Sequence, residues 1–472
     1  MFGLRAKPAW TSEKCRWLAV ASKAKIINRV RGMRDWMFSE SQQHREVLRL
    51  LQRTVERYGF LSIQTPVLEH TDLYMRTLGD SSDVVMKEMY TFRDYSGRSI
   101  TLRPEGTAGV LRFLVSNNLM NSLPQKISYS GSMFRYERPQ RGRYREFQQF
   151  GTFIIILTLF VAVDIPKASM PGVEYVGSLG PSVDTEVIAM AADALDALGL
   201  KDKVTLELNS LGDSESRERY RNALKNFFSQ CKDKLSPDSV SRLERGSLLR
   251  ILDSKNESDQ EILANAPLLC DYLSDESNKR FDNVLSGLDA LSIQYQKNTR
   301  LVRGLDYYSS TVFEFVESPI SDAHDVNKAP DGGIAVLAGG CYDGLAESVG
   351  GPMTACVGWA AGIDRLLLLR DTPSQVKPSV SVVPVLTADS VGVIEEAMRL
   401  AQRLRRHGSS VHFCHGGGSL RKQMKAAERC GSTYAVIIGK AEIEKGAVKV
   451  KNLRKREEVE VPMEMLGNSK YF

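Results

Sequence analysis

Apolar and polar positions recur with two periods along this chain, and the changes of period mark its elements. Among the Gln, Arg and Glu residues of 39–58, Val47, Leu48, Leu51 and Val55 return at helical spacing, which predicts an amphipathic helix. Gly59 follows as its stop signal. Residues 60–67 read as a strand ending at Thr65-Pro66. Residues 89–150 hold short β-like runs punctuated by Gly and Pro, the pattern of antiparallel strands. Residues 182–199 and 214–294 read as mostly helical, with polar joints near 236–238 and 253–259. A strand returns at 312–316, Gly-rich turns follow at 332–333, 339–340 and 350–351, and 356–369 reads as a helix with a buried apolar face. Pro373, Ser374 and Pro378 mark a linker over 371–378. Beyond it, strand-like runs at 380–386, 410–414 and 435–438 alternate with helical patterns near 391–407 and 419–431, a βαβαβ unit.

Composition narrows the class. The chain has 472 residues, of which 42% are apolar and 25% charged, ordinary values for a globular protein. They exclude a disordered chain, a collagen-like repeat and a disulfide-stapled mini-protein. The longest apolar stretch, 153–163, is broken by Thr158 and is too short to cross a bilayer as a helix. No membrane partner is expected. Seven scattered cysteines form no C-x-x-C pair, which points to a reducing compartment and away from a zinc ribbon. The His412-x-Cys414-His415 run has no second ligand pair nearby, so it is not read as a metal site.

The net charge of +6 is local in origin. Residues 1–30 hold seven Lys/Arg and one acid, Glu13, and the remainder carries 56 basic and 56 acidic residues. A basic, acid-poor leader of this kind resembles a transit peptide to a plastid or mitochondrion. If the leader is cleaved, the mature chain has no strong overall field, so nucleic-acid contact must come from local patches; without such a leader function the chain is expected in the cytoplasm.

Candidate chemistry gathers in residues 132–149. These read as strand, basic loop and strand. Alternation puts Arg135 and Glu137 on one face of the first strand, and Arg143, Arg145, Phe147 and Gln149 on one face of the second. Arginine forks suit phosphate oxygens and an aromatic face can stack a base. Standing alone, the segment would be a solvated hairpin. It is accompanied by Leu102-Arg103-Pro104-Glu105-Gly106-Thr107, by Leu301-Val302-Arg303-Gly304-Leu305-Asp306-Tyr307-Tyr308, by Ala338-Gly339-Gly340-Cys341-Tyr342-Asp343-Gly344-Leu345, and by Gly362-Ile363-Asp364-Arg365.

With these motifs the chain resembles the histidyl-tRNA synthetases of the bacterial type, class II aminoacyl-tRNA synthetases. The likeness runs from about Ile27 to Glu460 and includes all three class II motifs: the helix and strand ending at Pro66, the Phe134-Arg135-x-Glu137 hairpin, and the segment carrying Arg365. The 303–308 and 339–345 segments resemble the two histidine-specific signatures. The second normally reads Gly-Gly-Arg-Tyr-Asp-Gly, and here Cys341 replaces the Arg.

The resemblance implies an α/β architecture with an α+β catalytic core: a class II antiparallel sheet flanked by helices, a helical insertion domain, and a C-terminal βαβαβ anticodon-binding domain. The expected boundaries are a transit peptide at 1–30, catalytic core at 31–212 and 296–370, helical insertion at 213–295, linker at 371–378 and anticodon-binding domain at 379–472. A homodimer is implied, with the first motif at its interface. Residues 39–66 offer a helix and strand able to bury a shared apolar face.

The implied reaction joins histidine to ATP as histidyl-adenylate and then transfers histidine to the 3′ end of tRNA-His. Two anions must meet, so fixed positive charge is required. The resemblance gives that role to Arg135 and Arg303, both also contacting histidine. It gives ATP to Arg135, Glu137, Arg143, Phe147 and Arg365, with Mg²⁺ expected beside the triphosphate on unassigned ligands. It gives the histidine amino group to Glu105, Thr107 and Gln149. It gives the ring to Tyr307, Tyr308 and a carboxylate on the second hairpin strand. Residues 138–141, among them Arg138 and Gln140, would meet the tRNA acceptor end. Arg421, Lys422, Lys425 and Arg429 on the 419–431 helix supply phosphate contacts for an anticodon stem.

One segment departs from the family pattern. The glutamate expected four residues after Gln149 is replaced by Phe153. Removal of residues 152–172 would bring Glu174 into that place. The apolar run is therefore read as a translated intron or gene-model error rather than a surface insertion. If the segment is present, it is expected to loop out so that Glu174 re-enters the strand. A rival function is the non-catalytic regulatory subunit of ATP phosphoribosyltransferase, which keeps this fold and lacks the anticodon-binding domain. A generic RNA-binding protein would not need two histidine signatures beside an ATP hairpin.

Overall fold

The computed structural model describes residues 27–79, 82–122, 125–157, 180–252, 254, 256–303, 307–318, 333–370, 379–386, 392–414 and 419–466. Most of the expected leader, Glu174 and residues 304–306 lie outside them. The described chain divides into two units, 1–371 and 372–472.

The first unit begins with α1 (Phe38–Arg57), β1 (Leu61–Ile63), β2 (Leu68–His70), α2 (Thr71–Leu78), β3 (Tyr90–Arg93), β4 (Ser99–Leu102) and α3 (Thr107–Ser116). The hairpin β5 (Gln125–Phe134) and β6 (Glu146–Leu157) follows, then α4 (Pro181–Ala197) and β7 (Val204–Ser210). Helices α5 (Ser214–Gln230), α6 (Pro237–Glu244), α7 (Leu248–Leu252), α8 (Glu257–Leu263) and α9 (Asp275–Ala290) come next. The unit closes with β8 (Gln296–Lys297), β9 (Ser309–Glu317), β10 (Ala335–Cys341), α10 (Leu345–Ser348), β11 (Thr354–Gly362) and α11 (Ile363–Leu369).

Eight of these strands form one sheet in the order β1-β5-β6-β11-β10-β9-β7-β8. Only the outer pairs, β1 with β5 and β7 with β8, are parallel. A smaller sheet, β2-β4-β3, lies apart from it in the strand ordering. Alternation along β6 explains how the large sheet builds two cores. Phe150 and Ile154 face one side, where α1, α4, α9 and α11 cover the sheet. Phe153 and Ile155 face the other, where α3 packs. The apolar stripe of α1, with Val47, Leu51 and Val55 all fully buried, belongs to the first core. The expected shared face of that helix is therefore turned into its own chain. Helices α5–α8 have a separate core around Tyr220, Leu224 and Phe228, while Val284, Leu285 and Leu288 of α9 join the sheet's core.

Four expectations need correction. The apolar run at 356–369 is strand β11 followed by the short helix α11, not one helix. β11 is covered on both faces, and a central strand so covered is apolar nearly throughout. The 60–67 strand is only three residues long, and the chain passes Pro66 into a different sheet. The 89–150 region is not only strands, because α3 lies within it. Finally, the segment starting at Thr152 does not interrupt the hairpin. β6 runs unbroken to Leu157, pairing Phe153 with both Ile127 and Gly358.

The second unit contains β12 (Ser379–Pro384), α12 (Val393–Arg406), β13 (Ser410–Phe413), α13 (Leu420–Arg429), β14 (Tyr434–Ile438), α14 (Lys440–Lys445), β15 (Ala447–Asn452) and β16 (Glu458–Pro462). Its sheet order is β13-β12-β14-β15-β16, parallel over the first three strands and antiparallel at β15 and β16. The βαβαβ expectation holds, with a β-hairpin added.

Candidate active site

One cleft of about 1330 Å³ in the first unit collects most of the expected residues. Its anionic-ligand end is built on β5 and β6. Phe134 ends β5, so Arg135 stands where the strand gives way to the loop, its backbone N–H donating to Arg145. Its Nε donates to the Pro104 carbonyl at 3.0 Å and its guanidinium lies 5.5 Å from the Phe147 ring centroid. Glu137 lies 3.7 Å from both Arg135 and Arg143. A carboxylate between two guanidiniums holds both forks in place without cancelling their combined charge.

Arg365 enters from α11. It donates to the Gly142 carbonyl at 3.4 Å and the Ala335 carbonyl at 2.7 Å. Burial pushes its pKa down to about 10, and the neighbouring Arg143, Arg135 and Arg303 charges add to this. Four guanidiniums thus feel one another across a single cleft. Arg303, across the sheet, forms an ion pair with Glu314 of β9 and lies 5.4 Å from the Tyr308 ring centroid. Its Nε is buried without a hydrogen-bond partner among the described residues. Such a cluster of preorganised cations is costly when empty and suits a polyanion.

The other end of the cleft is aromatic. Tyr307 and Tyr308 pack with tilted rings 4.7 Å apart, and Tyr342 meets them edge to face at 5.5 and 6.1 Å between centroids. Burial raises the pKa of Tyr307 and Tyr342, so both keep their protons and can donate. Glu105 is 2% exposed, and its carboxylate accepts from the backbone N–H groups of Thr107 at 2.6 Å and Ala108 at 2.7 Å. It therefore caps the N-terminus of α3 while still lining the cleft. Gln149 lines the cleft and leaves its side-chain oxygen buried without a partner among the described residues. An unsatisfied buried amide oxygen facing a cleft is an acceptor kept for a ligand.

Phe153 lies on the Gln149 side of β6, four residues further along, fully buried and 6.4 Å from the Tyr342 ring centroid. No looping-out returns a carboxylate to that strand position, because β6 is continuous there. Tyr129 was not singled out from the sequence. It is 4% exposed on β5 and its hydroxyl lies 3.5 Å from that of Thr107. Gly106 and Gly151 are needed beside it, since a Cβ on either would collide with its ring.

Gln140 lines the cleft, whereas Arg138 is exposed and outside the lining. The far rim was also missed from sequence. Ser236, Asp238, Arg242, Ser254 and Asn256 line it. That rim is fixed by Asp259, which accepts from the Ser236 N–H at 2.8 Å and from the hydroxyls of Ser236, Ser239 and Ser254 at 2.7, 2.6 and 2.5 Å. Arg242 ties it to Asp83 at 3.3 Å. Ser236, Asp238, Ser254 and Asn256 fall in the polar joints near 236–238 and 253–259, a pattern that marks breaks between helices and carries no signal of a place at a cleft.

No group of three or more His, Cys, Asp or Glu able to hold a metal occurs among the described residues. Five carboxylates of the described residues, Glu105, Glu137, Asp238, Glu314 and Asp364, line the cleft, a scattered donor set that fits Mg²⁺ held chiefly by substrate phosphates and water.

Comparison with known proteins follows the same lines. The family described as histidyl-tRNA synthetase matches residues 32–155 and 168–366, and an anticodon-binding domain matches 379–468. The histidine–tRNA ligase of Gluconobacter oxydans is 43% identical over 92% of this chain and 95% of its own length. That of Rhodospirillum rubrum is 43% identical over 93% and 97%. The apo histidyl-tRNA synthetase structure from S. aureus covers 94% of this chain and 99% of its own, at 31% identity and a TM-score of 0.70.

Proposed function

The chain belongs to the histidyl-tRNA synthetase family, and from that premise we propose how its cleft performs the work. The activity is ligation of histidine to tRNA-His. The observation that carries the mechanism is the convergence of Arg135, Arg143, Arg303 and Arg365 on one cleft whose other end is a wall of tyrosines.

ATP lies with its adenine against Phe147 and its exocyclic amino group on Glu137. Arg143 and Arg365 hold the distal phosphates. Arg135 bridges the α-phosphate and the histidine carboxylate, bringing two anions together at a cost that its charge offsets. Arg303 approaches the α-phosphate from the other side and steadies the charge that grows there. Glu314, which lines the cleft, would be the protein's carboxylate for a Mg²⁺ ion bound with the triphosphate, and such an ion would supply further neutralisation of phosphate charge. Glu105, Thr107 and Gln149 take the ammonium group, and Tyr307 and Tyr308 face the ring.

Transfer then requires the tRNA. Its 3′ end meets Gln140 and Arg138 at the hairpin loop, and its anticodon meets the second unit, where α13 carries Arg421, Lys422, Lys425 and Arg429. The protein is a homodimer in this reading. Leu61, Val67 and Leu68 are 68%, 41% and 44% exposed, and β1 is an edge strand, so this corner leaves apolar surface and open backbone groups to cover. The basic leader directs the chain to a plastid or mitochondrion. Import of a fusion carrying residues 1–30 tests that, and retention in the cytoplasm would refute it.

The family match includes 152–155 and 168–172 and breaks at 156–167, which supports reading the middle of the 152–172 segment as foreign to the working enzyme. The experiment for the function is histidine-dependent exchange of pyrophosphate into ATP. No exchange in any form of the chain would favour the regulatory-subunit reading instead.

A further inference from the structure

Behind the tyrosine wall, Asp184 in the first turn of α4 is completely buried. A buried carboxylate requires compensation, and four contacts provide it. Arg280 of α9 approaches its two oxygens at 3.0 and 2.9 Å. The Thr311 hydroxyl donates at 2.7 Å, and the Cys341 thiol donates at 3.4 Å. The same Arg280 nitrogen lies 3.9 Å from the Cys341 sulfur. Among these donors only the guanidinium carries charge.

The position of the cluster gives it consequence. Cys341 ends β10, and the next residue is Tyr342 of the wall. Gly340 packs so tightly on β9 that a Cβ there would sit 2.5 Å from the Thr311 carbonyl. Thr311 in turn is two residues from Ser309, which hydrogen-bonds Asp343 at 3.0 Å. Asp184 therefore grips both strands that present Tyr308 and Tyr342. Arg280 comes from a helix at the end of the helical segment, not from the sheet.

We propose that Arg280 is a positioning residue for the histidine pocket, supplying through Asp184 the positive charge that the signature carries at position 341 in its usual form and that Cys341 lacks here. Arg280 thereby couples the placement of α9 to that of Tyr342 and Tyr308. This rests on the histidine-activating reading for its kinetic readout, while its stability readout stands apart from that reading.

The test compares the full chain with Arg280→Ala, Cys341→Arg and the double variant. Arg280→Ala strands a buried carboxylate, and Cys341→Arg sets two guanidiniums on it, so each single change is harmful. The double variant returns one cation to one carboxylate and recovers, the non-additivity expected of contacting residues. In pyrophosphate exchange, Arg280→Ala is expected to raise the histidine KM about tenfold while leaving the ATP KM within about twofold, and the double variant to reverse most of that rise. The double variant is also expected to melt above Cys341→Arg. A double variant no better than Cys341→Arg in either readout would overturn the proposal, as would equal effects of Arg280→Ala on both substrates. If Arg280→Ala does not fold, the comparison of Cys341→Arg with the double variant decides alone. If the parent shows no exchange, the functional reading fails, and the melting order still decides the placement of the charge.

Discussion

Arg303 and Glu314 form an ion pair between the first histidine signature and β9, each side chain less than one-fifth exposed. The pair holds a guanidinium in the cleft opposite Arg135 before any substrate arrives. Arg303→Ala is expected to slow adenylate formation by about 10²–10³ while ATP binding changes little. Rapid-quench measurement of the first turnover, with ATP affinity determined separately, checks this. An unchanged first-turnover rate would remove Arg303 from the chemistry.

Phe153, packed against Tyr342, occupies the strand position where the family resemblance implies a carboxylate for the ring. Both Phe153→Glu and removal of residues 152–172 are expected to lower the histidine KM, by about ten- to a hundredfold for one charged hydrogen bond. The ATP KM should stay as it was. Steady-state exchange kinetics at varied histidine give the answer. Equal histidine affinity in all three chains would mean that another group already serves the ring.

The first turn of α5 has its own pH signature. Asp213 caps it, accepting from the Ser216 N–H at 2.7 Å and from the Ser274 hydroxyl at 2.5 Å. Burial opposes ionisation here, but these hydrogen bonds prevail and the pKa lies well below the usual carboxylate range. A depressed carboxylate pKa gives stability that is present above the unfolded pKa of about 4 and is lost as pH falls towards the folded value. Asp213→Asn keeps a capping oxygen but loses the charge-assisted part of these hydrogen bonds, and is therefore expected to cost about 1–2 kcal/mol at neutral pH, with the difference from the parent narrowing below about pH 4. Urea titrations at several pH values would show a constant difference if the cap contributed nothing through its charge.

At the sheet edge, Leu61→Lys together with Leu68→Lys is expected to shift the protein towards monomer. Both side chains are more than two-fifths exposed, so the fold of the single chain should be retained. Light scattering with circular dichroism separates the two effects. A dimer that survives both substitutions would move the interface elsewhere.

Periodicity revealed what it physically can. The amphipathic stripe of α1 and the alternation of the second unit were legible because each element buries one face. β11 was not, since residues covered on both sides lose their period. The ten residues of α3 were hidden by Pro104 and Gly106, which punctuate like a turn. Motif residues such as Arg135, Arg303 and Arg365 were legible through family likeness, and the cleft brings them together. Tyr129, Arg280 and the Ser236–Asp259 rim were not, because their roles arise from contacts between segments distant in sequence. The continuity of β6 through Thr152 was hidden for another reason: the segment's β-rich opening extends the strand that it was expected to break.

The central claim is that this cleft activates histidine, and ATP–pyrophosphate exchange measures it most directly. The assay should compare the full chain with the form lacking residues 152–172, with histidine present and absent. Exchange that requires histidine, and that is stronger in the shortened chain at low histidine, is the predicted result. Exchange absent from both forms, or unaffected by histidine, would contradict the account.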